Sequence, residues 1–219
     1  MIELKYKSYK ELPIGKYFEI KEKLDTITDS DSDMDIIITL IALLSDVKED
    51  DIYNMPIKEL NRLTEEVKWF FTPVKPSKAP KKVKIGEYTL VPQYDPKNIS
   101  VSQYIDYSMY GGNRYKFYVE CLCTFLIPEG HKYNDNYDVL DIQNKVKEYL
   151  SIEVAESFYH SFAKSSRSLL NRSLLSLAMS TLKILRKTKK QGMTPMRINL
   201  LRSLVEMKTL LSYLNGLSK

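Results

Sequence analysis

The sequence predicts a mainly α protein: a multi-helix domain with a small β-hairpin and a C-terminal helical hairpin, an α+β arrangement being the alternative. Three observations predict it. Apolar residues recur every three or four positions over 56–71, 168–187 and 195–214, the spacing that puts them on one face of a helix. Residues 34–44 (MDIIITLIALL) are almost continuously apolar and lead straight into a second helical pattern, which favours a buried helix over a buried strand. Strand-type signals are few: the alternating IELKYKSY at 2–9, and the short runs on either side of Gly86-Glu87.

Taken in order, Ile2 to Tyr9 suits a short strand or an extended arm, and Leu12-Pro13 opens a helix that runs to Leu24. The acids Asp25, Asp29, Asp31, Asp33 and Asp35 follow. An EF-hand reading of D-S-D-S-D fails twice, because the sixth position from Asp29 is Met34 instead of glycine and the twelfth is Leu40 instead of glutamate. The acids fit a helix start, with Ser32 or Asp33 as the cap. Pro56 to Phe71 forms the second helix, its apolar stripe made by Ile57, Leu60, Leu63, Val67, Phe70 and Phe71, with Trp69 at the edge.

Thr72 to Lys84 (TPVKPSKAPKKVK) carries three prolines and five lysines and reads as a linker. Domain organisation follows from it: an N-terminal arm and helical hairpin over 1–71, the linker over 72–84, an aromatic-rich helical core with a β-hairpin over 85–167, and a basic helical hairpin over 168–219. Within the core, Val83 to Val91 makes the β-hairpin, Asp95-Pro96 turns the chain, and Ser100 or Ser102 caps a helix through Tyr110. Gly111-Gly112 breaks that helix; Tyr115 to Leu126 is the next, and Pro128-Glu129-Gly130 ends it. Val139 to Leu150 and Val154 to Lys164 follow, with Ser151 as a cap between them.

Charge is distributed unevenly. Residues 151–219 hold 12 Lys and Arg against Glu153, Glu156 and Glu206, a net +9, whereas residues 1–150 hold 21 against 25, a net −4. Such a chain can pair with itself as a homo-oligomer, meet an acidic protein, or bring its basic end to DNA. The cations of the nucleic-acid option are Arg167, Arg172, Lys183, Arg186, Lys187, Lys189 and Lys190. They are interleaved with Leu and Ser and few aromatics, which is poor equipment for stacking on bases. The apolar face of the last helix, Leu200, Leu204, Met207, Leu211 and Leu214, either completes the core or docks into a partner.

Catalytic chemistry finds no footing. His131 and His160 are the only histidines and neither has metal-ligand spacing or a nucleophile motif around it. Cys121 and Cys123, spaced C-x-C, fit buried small hydrophobes. No phosphate loop, dinucleotide fingerprint or nucleophile elbow occurs, so the sequence predicts no enzyme, no cofactor and no metal. No run reaches the ~20 apolar residues of a membrane span.

The order of an apolar helix over Ile36–Ser45, DDIYNMPIKELNRLTEEVKWF, a β-hairpin, ISVSQYIDY and IPEGHKYNDNYD resembles small morphogenesis proteins of tailed bacteriophages, most of all those of phages infecting Bacteroidota, crAss-like phages among them. The helix followed by I-x-x-M/L-P-x-x-E-L-x-x-L is similar to tail-assembly-chaperone-like proteins. The resemblance covers Asp35 to Phe162, implies no catalytic residues, and leaves the basic stretch after Leu169 outside it. It implies a virion or structural protein, or a tail or portal assembly factor, with other phage structural proteins as partners and the virion or the infected host cytoplasm as its location.

Overall fold

A computed structural model describes residues 2–27, 32–93, 95, 98–111 and 116–165. The chain divides into two compact units, Met1–Phe162 and Ala163–Lys219. The first is mainly α with a three-stranded antiparallel sheet. The predicted C-terminal hairpin lies outside the described residues.

Helix α1 (Ile14–Asp25) follows Pro13, which occupies the N-cap instead of the first turn. Its second residue is Gly15, beside which α7 (Val139–Tyr149) passes closely: a Cβ there would meet Lys147 Cγ and the Lys147 carbonyl oxygen at 3.0 Å, a tight contact that glycine avoids. Helix α2 (Asp33–Ser45) begins with a reciprocal capping box, in which Ser32 Oγ accepts from the Asp35 amide and Asp35 accepts from the Ser32 amide at 2.9 Å. It ends at Asp46, whose left-handed φ of 52° reverses the chain. Asp46 then pairs with Lys5 (2.6 Å) and Lys16 (3.3 Å), and the Lys5 bond foremost holds its carboxyl below the usual range.

The predicted 56–71 helix is α4 (Ile57–Val67) and then a 3-10 turn (Lys68–Phe71); a short α3 (Glu49–Tyr53) precedes it, unforeseen amid the charges of that stretch. Leu60, Leu63, Val67 and Phe70 are buried as the stripe requires, but Ile57 and Phe71 at its ends are exposed. The tightening to 3-10 rotates Phe71 away from the face that Phe70 keeps.

The N-terminal residues form an extended arm with no strand: the Lys5 amide donates to Leu44 O, Ile14 to Leu150 O and Ile152 to Leu12 O, each at 2.9 Å. Tyr9 fixes this arm to the 3-10 turn, its ring edge-on to Trp69 at 4.8 Å and its hydroxyl shared between Phe70 O (2.6 Å) and Thr72 O (2.8 Å).

Strands β1 (Val83–Ile85) and β2 (Tyr88–Pro92) form the predicted hairpin, with Gly86 at φ +57° in its turn. β2 is central, because β3 (Leu126–Pro128) pairs with its other edge, Val91 opposite Ile127. This corrects the expected Tyr115–Leu126 helix. Helix α6 spans only Tyr118–Cys123 and residues 126–128 are a wholly buried strand, since an apolar run that short serves either state and the open edge of β2 decides between them. Helix α5 (Val101–Gly111) precedes α6, and a helix α8 over 152–165 follows α7.

The proline and lysine stretch does not separate two domains, because 1–162 is one unit. Val74 and Ala79 pack against the core, and Ser77 donates its amide to Ser157 Oγ at 2.9 Å. Two small side chains and one hydrogen bond suffice to lay the segment along the body; composition alone shows only that it forms no helix.

Candidate protein-binding face

Helix α5 is set by its own local chemistry. Ser100 Oγ accepts from the Gln103 amide at 3.1 Å, an N-cap of the expected kind. What the helix does next reverses the usual amphipathic arrangement. Its inward side is polar and aromatic. Gln103 is 2% exposed and donates Nε2 to Thr124 O at 2.6 Å, while its Oε1 is buried without a partner. Asp106 accepts from the Tyr133 hydroxyl at 2.6 Å. Tyr107 lies edge-on to Phe162 at 4.8 Å, and Tyr110 lies 5.7 Å from Phe117.

The outward side is apolar: Val101 is 77% exposed, Tyr104 64%, Ile105 57% and Met109 60%. These positions, with Ser108 among them, fall within one face at helical spacing. Ser108 turns its hydroxyl back to Tyr104 O at 2.8 Å, which leaves the face without a free hydroxyl at that point. The stretch 99–112 carries a single charged residue, Asp106, and that one is committed inward.

The inversion has a physical cause on the inner side. The buried strand β3 and the end of α6 present backbone carbonyls where the chain leaves the helix, and Gln103 satisfies one of them at Thr124. Tyr133 sits in the turn between β3 and α7; burial first, and then its bond to Asp106, push its hydroxyl pKa well above the ordinary value, so it remains a donor. Polar residues placed inward by these partners leave Val101, Ile105 and Met109 for the solvent side.

Other sequence-selected residues do not assemble into a site. Cys121 and Cys123 are buried, and burial foremost raises the Cys123 thiol far above its usual range, which suppresses the reactive thiolate. His131 lies 4.0 Å from Asp135 Oδ2 with its ring against Tyr137, and is exposed. Among the described residues, no group of three or more His, Cys, Asp or Glu side chains has metal-site geometry, and no helix is long and apolar enough to cross a membrane.

A broad groove of about 1100 Å³ lies between α1, α6 and α7, lined among others by Tyr17, Phe18, Tyr118, Leu140, Lys147 and Glu156. Its floor is held by Phe18 against Tyr118 at 5.0 Å and by the Tyr118 hydroxyl donating to Glu156 at 2.9 Å. Its rim carries both signs of charge, so it favours no ligand class by electrostatics.

Leu200, Leu204, Met207, Leu211 and Leu214, and the cations Arg167, Arg172, Lys183, Arg186, Lys187, Lys189 and Lys190, lie outside the described residues. The face on α5 was not among the sequence-derived candidates. Its signal was there in the spacing of Val101, Ile105 and Met109, four residues apart, but spacing does not say which side of a helix faces out. No protein-family model, curated protein or solved structure matches the chain.

Proposed function

We propose that the chain is a non-enzymatic protein that works through protein–protein contacts, as a bacteriophage virion component or as an assembly factor for the tail or portal region. The observation that carries the contact role is the charge-free face of α5, where four large apolar side chains stand more than half exposed on one helix. Isolated exposed apolar residues are ordinary, but a contiguous set with an aromatic at its edge is the composition of an interface centre. The phage setting rests on the resemblance of the Asp35–Phe162 sequence. Leu200, Leu204, Met207, Leu211 and Leu214 are assigned the same kind of role from their spacing.

The test is complementation. A phage carrying a stop codon in this gene is supplied with the wild-type chain or with Ile105→Asp, and particle yield is counted. Wild type restores assembly and the variant does not, while circular dichroism shows both folded. Full rescue by the folded variant overturns the assignment of the α5 face. Mass spectrometry of purified particles separates the virion component from the assembly factor.

The +9 charge of residues 151–219 favours one second reading, contact with nucleic acid. Binding to duplex DNA then weakens steeply with added salt. Affinity that is flat with salt, or undetectable, removes it.

A further inference from the structure

We propose that the α5 face pairs with the same face of a second copy of this chain, forming a two-fold, reversible dimer centred on Ile105. The inference rests on the contact role proposed above and names its partner. Three observations point to a second copy.

The first is charge. Charged residues make up 28% of the chain, yet the surface made by Val101, Tyr104, Ile105, Ser108 and Met109 has none, and Asp106 is turned away to Tyr133. In a two-fold contact every residue meets itself or a symmetry mate, so a charged face sets like charges together and a charge-free one does not. An uncharged surface also gives a strongly charged partner nothing to recognise.

Shape is the second. Val101, Ile105 and Met109 form a ridge four residues apart, and the adjoining row falls from Tyr104 to Ser108, whose small side chain leaves a groove beside the ridge. The ridge of one copy can lie in the groove of the other, the commonest way for two helices to pack.

The third is area. At their observed exposures Val101, Tyr104, Ile105 and Met109 together offer on the order of 500 Å² per copy, a patch within the range that marks an interaction site. Two copies would bury roughly 1,000 Å², the lower bound for a specific interface and short of the ~1,600 Å² of a standard one. The dimer is therefore concentration-dependent instead of obligate.

Sedimentation equilibrium on the full chain reads this directly. The wild-type mass rises from the 25.6 kDa monomer toward the dimer with increasing concentration, and Ile105→Asp, which sets two carboxylates together at the two-fold, stays monomeric. Because both native cysteines are buried, Ile105→Cys supplies the exposed thiol; under oxidised glutathione it gives a covalent dimer, while a control cysteine at the exposed Lys58 does not. The second variant serves where the aspartate one fails to fold. A wild type that is monomeric throughout, an Ile105→Asp chain that dimerises as wild type does, or equal cross-linking at positions 105 and 58 each overturns self-pairing. Loss of particle assembly by Ile105→Asp alongside a strictly monomeric wild type would assign the face to a different protein, overturning the dimer and keeping the contact role.

Discussion

Gln103 is the residue on which the inverted seating of α5 turns, and substituting it tests that seating. It is 2% exposed, its Nε2 donates to Thr124 O at 2.6 Å, and its Oε1 has no partner. Gln103→Leu removes one hydrogen bond, of about 1 kcal/mol, and strands the Thr124 carbonyl, which costs about 1–3 kcal/mol. The same change removes the orphaned Oε1, a gain of similar size, and adds apolar burial of comparable volume. The terms offset, and the expected net change lies within about 1 kcal/mol of zero. Gln103→Ala loses the same bond but leaves the space empty, and the cavity makes it worse by about 2–4 kcal/mol.

For a domain of this length each kcal/mol moves Tm by roughly 2–4 °C. Thermal unfolding followed by circular dichroism should therefore put Gln103→Leu within about 4 °C of wild type, and Gln103→Ala lower by roughly 4–16 °C. Hydrogen exchange should show α5 amides losing protection first in the alanine variant. If the leucine variant falls as far as the alanine one, the hydrogen bond and not the packing holds the helix, and the offset argued here is wrong. If neither variant moves, α5 is not seated through Gln103.

Three other substitutions probe the frame around that helix. Tyr9→Phe frees the Phe70 and Thr72 carbonyls and should cost about 1–2 kcal/mol in urea unfolding at neutral pH. Burial, and then the neighbouring Tyr17, push the Tyr9 hydroxyl from 10.0 to about 12. A raised folded value means that the unfolded chain ionises first, so this contribution is intact below pH 10 and is lost as pH rises toward 12. Solvent at the half-exposed ring scales the loss to about 1 kcal/mol, read as the difference between wild type and Tyr9→Phe across that window; parallel curves refute it. Phe125→Ala removes a 1%-exposed ring that stacks on Phe162 at 4.4 Å and meets Tyr159 edge-on at 5.5 Å, and should cost about 3–5 kcal/mol by the same unfolding measurement. Ser32→Ala opens the α2 capping box and should cost about 1 kcal/mol, with a change near zero showing that Asp35 alone carries the cap.

The elements that were legible in the sequence are those whose signals are local. Ser32 caps α2, Ser100 caps α5 and Ser151 caps α8 because a side-chain hydroxyl accepts from an amide three residues on, whatever the rest of the chain does. Gly86 turns the hairpin for an equally local reason, its positive φ. Elements decided by distant partners were not legible. Leu126-Ile127-Pro128 continues an apolar run that α6 begins, and only the free edge of β2, some 35 residues earlier in the chain by its register with Val91, makes it a strand. The 72–84 segment reads as a spacer until Ser157 is brought beside Ser77.

Helix α5 shows why the candidate site belonged to the illegible part. Periodicity in ISVSQYIDYSMY marks two faces, one with Val101, Ile105 and Met109 and one with Gln103, Asp106, Tyr107 and Tyr110. The ordinary rule buries the first and exposes the second. The rule is an energy balance, and here the balance is set by groups far along the chain: the Thr124 carbonyl needs a donor, the Tyr133 hydroxyl needs an acceptor, and the Phe162 ring offers an edge-on partner to Tyr107. Leaving a buried polar group unpaired costs about 1–3 kcal/mol, comparable with the roughly 1.5–3 kcal/mol gained by burying one aliphatic side chain; the orphaned Gln103 Oε1 offsets the gain at Thr124, so the Asp106–Tyr133 bond and the ring contacts of Tyr107 and Tyr110 carry most of the balance. The apolar face then left in water exerts its own demand, and burying it against a copy of itself meets that demand with no charge to neutralise.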